Sequence, residues 1–180
     1  MNRFPLSIDL TGKTVFLIGN GKQIQAKAEK IASFGAVLVR QDTFTKSDAE
    51  QTPALVIVGD TEIAEAEKIH DLCCRFRIPV NVVDVPRLCS FYFPALITRG
   101  DLTVSVSTGG SSPTTAAYLR QKIEDTLPGN TEMILEWVCQ HSDDLKSHGI
   151  LKQAIAAAFS NNRPLTDTEI DDLIAHKQFT

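Results

Sequence analysis

The chain has no apolar run approaching the ~20 residues that a membrane-spanning helix requires, so no span is expected. Its first ten residues, Met1 to Leu10, carry Arg3 and Asp9 in place of a continuous apolar stretch with a cleavage site. They do not read as a signal peptide, and a cytoplasmic setting is expected. Positive charge is not in excess: 18 Lys and Arg stand against 22 Asp and Glu, a formal net charge of -4. That balance argues against a nucleic-acid partner, because phosphate binding needs a basic surface. Cysteine is sparse, and Cys73, Cys74, Cys89 and Cys139 lack the paired spacing of a zinc ribbon. Reduced, packed thiols are expected. His141 and His148 lie near Cys139 but complete no zinc signature, so no metal centre is expected. There is no internal repeat and no low-complexity tract.

What remains is an ordinary globular composition, 43% hydrophobic and 22% charged. A length of 180 residues suits one core with a helical appendage. Thr14 to Ile18 is a continuous apolar run, the mark of a strand buried on both faces. The turn Gly19-Asn20-Gly21 follows, and then helical spacing through Ile24, Ala28, Ile31 and Ala32, closed by Gly35. Ala36 to Val39 reads as a second strand. The polar stretch from Gln41 to Pro53 reads as a loop, or a loop with one short turn. Ala54 to Val58 is a third strand, and Gly59-Asp60-Thr61 ends it and is expected to cap a helix from about Glu62 to Phe76. Pro79 to Val83 is a fourth strand, with Asp84 just past its carboxyl end. Strands alternating with helices predict an α/β fold with a Rossmann-like parallel sheet.

The pattern then changes. Ala95 to Arg99 and Leu102 to Ser107 read as two strands of an antiparallel hairpin turned at Gly100-Asp101. Pro113 suits the first turn of a helix running to about Thr126. After Pro128-Gly129 the chain is helical, and Thr166 with Glu169 forms a capping box at the start of the last helix. The expected organisation is a dinucleotide-binding domain over 1–84, a hairpin-plus-helix region over 85–127, and a small C-terminal helical domain over 128–180.

The glycine turn is the first feature with chemistry in it. Between a buried strand and a helix, it offers backbone N–H groups and a helix N-terminus to a pyrophosphate. Gly19, Asn20, Gly21 and Lys22 are therefore candidate cofactor residues, with Gly59 and Asp60 at the corresponding end of the third strand. The third small residue of the fingerprint belongs at position 24, where this chain has Ile24, expected to crowd the helix against the sheet. Asp42 would suit the ribose 2′-hydroxyl of NAD, and Arg40 the 2′-phosphate of NADP. The sequence leaves that choice open. Asp84, at the carboxyl end of a parallel strand, lies where such sheets bind ligands and can serve as a general acid or base.

Several segments, taken together, are more specific than any of these. They are Phe4-Pro-Leu-Ser-Ile-Asp-Leu-Thr-Gly-Lys13, Asn81-Val-Val-Asp-Val-Pro86, Phe91-Tyr-Phe-Pro94, Arg99-Gly-Asp-Leu-Thr-Val-Ser-Val-Ser-Thr-Gly-Gly110, Ser112-Pro113 and Leu119-Arg120. In this order the chain resembles the precorrin-2 dehydrogenase/sirohydrochlorin ferrochelatase family, the dehydrogenase module of siroheme synthases. The resemblance implies oxidation of precorrin-2 to sirohydrochlorin with NAD in siroheme biosynthesis. It also implies an interlocked homodimer built through residues 85–127 and, in some members, insertion of ferrous iron. It implies that Asp84 handles protons, that Gly19 and Gly21 bind the pyrophosphate, that Ser107, Thr108, Gly109 and Gly110 help shape the tetrapyrrole cleft, and that Asn81 is a substrate-binding strand residue next to the active site. No methyltransferase module follows residue 180, so the expectation is the dehydrogenase module rather than the trifunctional enzyme.

The chain also departs from the family. The usual Gly-Gly-Gly-x-Val-Ala-x-Arg-Lys becomes Gly19-Asn-Gly-Lys-Gln-Ile-Gln-Ala-Lys27, with Ala26 in place of the arginine. The stretch before Ala54 is shorter by something like a strand and its turn, and Thr114-Thr-Ala-Ala117 lacks a family arginine. These changes keep a second reading in play: a diverged paralogue that binds a tetrapyrrole or nucleotide as a regulatory or carrier protein.

Overall fold

The computed structural model describes residues 4–177, and the chain divides into two compact units, one ending at Phe93 and the next beginning at Pro94. The first unit runs β1 (Thr14–Ile18), α1 (Lys22–Ala32), β2 (Val37–Gln41), α2 (Lys46–Glu50), β3 (Leu55–Val58), α3 (Ile63–Phe76) and β4 (Val80–Val82), then a 3₁₀ turn at Pro86–Leu88. The four strands form one sheet in the order β2-β1-β3-β4, every neighbouring pair parallel. This is the Rossmann-like α/β arrangement that the strand–helix alternation requires.

The unbroken apolar run of β1 follows from its place in the sheet. Phe16 and Ile18 enter one core with Val56, Val58, Ala66 and Ile69, under α3. Val15 and Leu17 enter the other with Ile24, Ala28, Ile31, Leu55 and Ile57, under α1. A central strand covered on both faces has no polar side to show. All carboxyl ends of the strands point the same way, which collects the following turns, 19–21, 59–62 and 83–85, along one edge.

Two local readings need correction. Asp60 and Thr61 do not cap α3: its N-cap is Glu62, and no side chain accepts a capping bond there. The polar 41–53 stretch contains α2, begun by a capping box in which Thr45 and Asp48 satisfy each other's backbone N–H. A polar five-residue helix has almost no apolar period to read; only Ala49 is buried, so the cap is its main sequence signal.

The second unit holds β5 (Ala95–Arg99), β6 (Leu102–Val106), α4 (Pro113–Glu124), α5 (Thr131–Ser147), α6 (Leu151–Asn161) and α7 (Asp167–Lys177). β5 and β6 pair antiparallel through Gly100-Asp101 as expected. Arg99 and Arg120 both bind the Glu124 carboxylate, which ties the hairpin to α4. α5, α6 and α7 share a core of Ile134, Trp137, Leu145, Ile150, Ala154, Ala158, Leu165 and Ile170. The Thr166–Glu169 capping box is present: the Thr166 N–H donates to Glu169 Oε2 at 2.8 Å. Among the described residues no helix is long and apolar enough to cross a membrane.

Candidate active site

The turns at the carboxyl edge of the sheet enclose a cleft of about 330 Å³ lined by Asn20, Gly21, Lys22, Gln23, Ile24, Gly59, Asp60, Thr61, Val83 and Asp84. Six residues singled out from the sequence thus meet in one place: Asn20, Gly21, Lys22, Gly59, Asp60 and Asp84. Gly21 is the N-cap of α1 with φ 113°, a conformation that a residue with a Cβ adopts only under strain. The first backbone bond of α1 runs from the Gln25 N–H to the Gly21 carbonyl at 3.2 Å. The amides of the turn before it therefore face the cleft without intrahelical partners, as at any helix start. They carry the positive end of the helix dipole and suit an anion. No side chain caps α1, so the position above Gly21 is left open. Lys22 adds a cation on the same rim.

Ile24 does not crowd the fold, contrary to the expectation from the fingerprint. It is buried in the α1 core, and the space it needs comes from Gly59 at the end of β3. A Cβ on Gly59 would stand 3.1 Å from Ile24 Cδ1 and 2.8 Å from the Asn20 carbonyl oxygen. The small residue has moved from the helix to the facing strand end. The glycine turn is also tied down there, since the Asp60 N–H donates to the Asn20 carbonyl at 3.2 Å.

Asp84 follows β4 in the left-handed region, φ 60°, which is unusual for a residue other than glycine. Its carboxylate is exposed to the cleft, and Gln23 Nε2 donates to Asp84 Oδ2 at 2.8 Å. Gln23 was not singled out from the sequence. Its one signal was position, two residues past Gly21 in the first turn of the helix.

The remaining candidates lie elsewhere. Arg40, on β2, donates from Nη2 to Gln25 Oε1 at 2.7 Å, and Asp42 is exposed beyond the strand; neither lines the cleft. Gly19 lies beneath the turn, its N–H donating to the Gln41 carbonyl at 3.1 Å. Asn81 is buried on β4, where its amide donates to the Phe91 carbonyl at 2.9 Å and its Oδ1 has no partner. It holds the segment after the 3₁₀ turn against the sheet. Ser107, Thr108, Gly109 and Gly110 belong to the second unit. There Thr108 Oγ1 both accepts from the Ser112 N–H and donates to its carbonyl, folding the turn that precedes α4. Among the described residues no three His, Cys, Asp or Glu side chains gather as metal ligands. His141 and His148 each approach a carbonyl one helical turn back, those of Trp137 and Asp144.

Residues 35–95 match a family model described as putative NAD(P)-binding, and residues 99–126 match one described as sirohaem biosynthesis protein, central. The siroheme synthase of Psychrobacter sp. (strain PRwf-1) is 30% identical over 167 residues, covering 82% of this chain and 34% of that protein. The siroheme synthase of Methylococcus capsulatus is 39% identical over 109 residues, 58% of this chain and 23% of that protein. The chain is similar to one segment of these siroheme synthases. It spans about a third of the length of the curated relatives it matches. In fold it is similar to a solved structure titled SirC, precorrin-2 dehydrogenase, with a TM-score of 0.66 and 12% identity over 99% of this chain and 100% of that one. The cleft lies in the unit that carries the NAD(P)-binding match, and the hairpin and α4 lie in the unit that carries the sirohaem-biosynthesis match. In the first unit the cleft is the feature that joins a nucleotide-type turn to a carboxylate.

Proposed function

We propose that the protein oxidises precorrin-2 to sirohydrochlorin with NAD, in the cytoplasm, as a step of siroheme biosynthesis. The observation that carries this reading is the cleft in which Asn20, Gly21, the start of α1 and the Asp84 carboxylate come together. The residues fit a dinucleotide: Gly21 presents no side chain over the helix start, backbone amides face outward, and Lys22 supplies a cation for a pyrophosphate. The SirC title and the siroheme synthase relatives support the choice of substrate.

Oxidation removes two hydrogens from precorrin-2, one as hydride and one as a proton. Bound NAD supplies the hydride acceptor. Asp84 takes the proton: its Oδ1 is not engaged by Gln23 and can accept from a ring carbon or nitrogen of a substrate lying over the cleft. Gly21 and the α1 amides would hold the dinucleotide phosphates, and Asp42, for NAD, or Arg40, for NADP, would meet the ribose beyond the cleft. The turn Ser107–Gly110 contributes to tetrapyrrole binding. α4 presents Tyr118, Leu119 and Ile123 at the surface, which supports a homodimer built through this region.

The test is an incubation of the pure protein with precorrin-2 and with NAD and NADP side by side, followed by absorbance. The expected result is the sirohydrochlorin spectrum with stoichiometric NADH. Tight tetrapyrrole or nucleotide binding with no oxidation under either cofactor would replace this reading with that of a binding paralogue. Insertion of ferrous iron into the product is measured in the same preparation.

A further inference from the structure

We infer that Gln23 is the positioning residue for Asp84, orienting its carboxylate for proton transfer. This deepens the proposed oxidation and rests on it. Asp84 leaves β4 with a left-handed backbone, φ 60°, so its side chain departs from the strand direction and needs an outside contact to fix it. The 3₁₀ turn at Pro86–Leu88 begins two residues later and leaves no local helix to hold it. The contact comes from the opposite wall. Gln23 sits in the first turn of α1, anchored beside fully buried Ile24, and spans the cleft to donate from Nε2 to Asp84 Oδ2 at 2.8 Å. The other charged groups on the same walls are Lys22 and Asp60.

An amide N–H can only donate, so this bond fixes one carboxylate oxygen as an acceptor and leaves Oδ1 for the substrate proton. An ammonium in that place would bind the carboxylate as a mobile point charge, and a hydroxyl could reverse its role. A glutamine at this position therefore sets the plane of the carboxylate without competing for the proton. It also joins the cofactor wall of the cleft to the base, so that both meet the substrate from a single rigid frame.

The experiment compares steady-state precorrin-2 oxidation by the unaltered full chain, Gln23→Leu, Asp84→Asn and the double variant, with Gln23→Glu as a second probe. Gln23→Leu is expected to lower kcat by roughly ten- to a hundred-fold, the loss of a hydrogen bond to a charged group. KM for precorrin-2 and for NAD should change by less than about three-fold. In the Asp84→Asn background the same substitution should produce no further loss, because a residue acting through Asp84 has nothing left to position. Gln23→Glu, which cannot donate when ionised, should fail to restore kcat and should shift the acidic limb of the kcat/KM profile to higher pH. Equal kcat for Gln23→Leu and the unaltered chain, or losses that add in the double variant, would overturn the inference while leaving the oxidation intact. Absence of oxidation by the unaltered chain would overturn both.

Discussion

Ile24 on α1 and Gly59 at the end of β3 occupy each other's space: the isoleucine fills the volume that a side chain on the glycine would claim. In the usual dinucleotide fingerprint the small residue lies on the helix, for close helix–strand packing. Here the same approach is kept with the roles exchanged. Gly59→Ala would bring a Cβ to within 2.8 Å of the Asn20 carbonyl, a backbone atom with little freedom to move. It is expected to cost about 1–3 kcal/mol, as overpacking does, and to weaken dinucleotide binding through displacement of the turn. Urea unfolding with titration of NADH fluorescence measures both.

Asn81 lies in the sheet rather than in the cleft. Removing its amide would free the Phe91 carbonyl and leave a cavity on β4. Asn81→Ala is expected to destabilise the first unit by about 1–3 kcal/mol. KM for precorrin-2 in the remaining folded protein should stay near that of the unaltered chain, read from unfolding curves and from active-site-normalised kinetics.

The thiols divide sharply. Cys73 is fully buried, and burial, then its neighbour Cys74, pushes its thiol up to about 12. Cys74 and Cys139 are exposed. At pH 8 a disulfide reagent is expected to label Cys74 and Cys139 in the native protein and to reach Cys73 only on unfolding. Peptide mapping by mass spectrometry after timed labelling checks this.

At the start of α7, the Arg163 guanidinium, with the Thr166 N–H next, draws the Glu169 carboxyl down to about 2. Its folded value is depressed from an ordinary 4.5, so the contribution to stability is complete above about 4.5 and is lost as pH falls through about 2. Carboxyl chemical shifts followed by NMR should place the Glu169 midpoint near 2. Arg163→Ala should raise it toward the ordinary value.

The parts of the fold that could be read in advance are those with a period or a paired signal. The apolar run of β1, the Gly100-Asp101 turn, Pro113 at the start of α4 and the Thr166–Glu169 box each carry their own local physics. α2 was obscured because a short polar helix exposes nearly every side chain. Gln23 was missed as a site residue, and the packing of Gly59 against Ile24 went unread, for a different reason. Their roles arise between segments, 35 residues apart for Ile24 and Gly59 and 61 for Gln23 and Asp84, and only the parallel order of β1, β3 and β4 brings them together. Asn81, suggested by resemblance as a strand residue next to the active site, lies one residue out of step with Val80 and Val82, which face the α3 core; that alternation places it beside Phe91.

The most direct measurement for the account as a whole is a single-turnover oxidation of precorrin-2 by Asp84→Asn with NAD saturating. If Asp84 is the proton acceptor, the rate of sirohydrochlorin formation falls at least about a hundred-fold while the affinity for NAD is unchanged. A rate equal to that of the unaltered chain would remove Asp84 from the chemistry and contradict the assignment of this cleft as the active site.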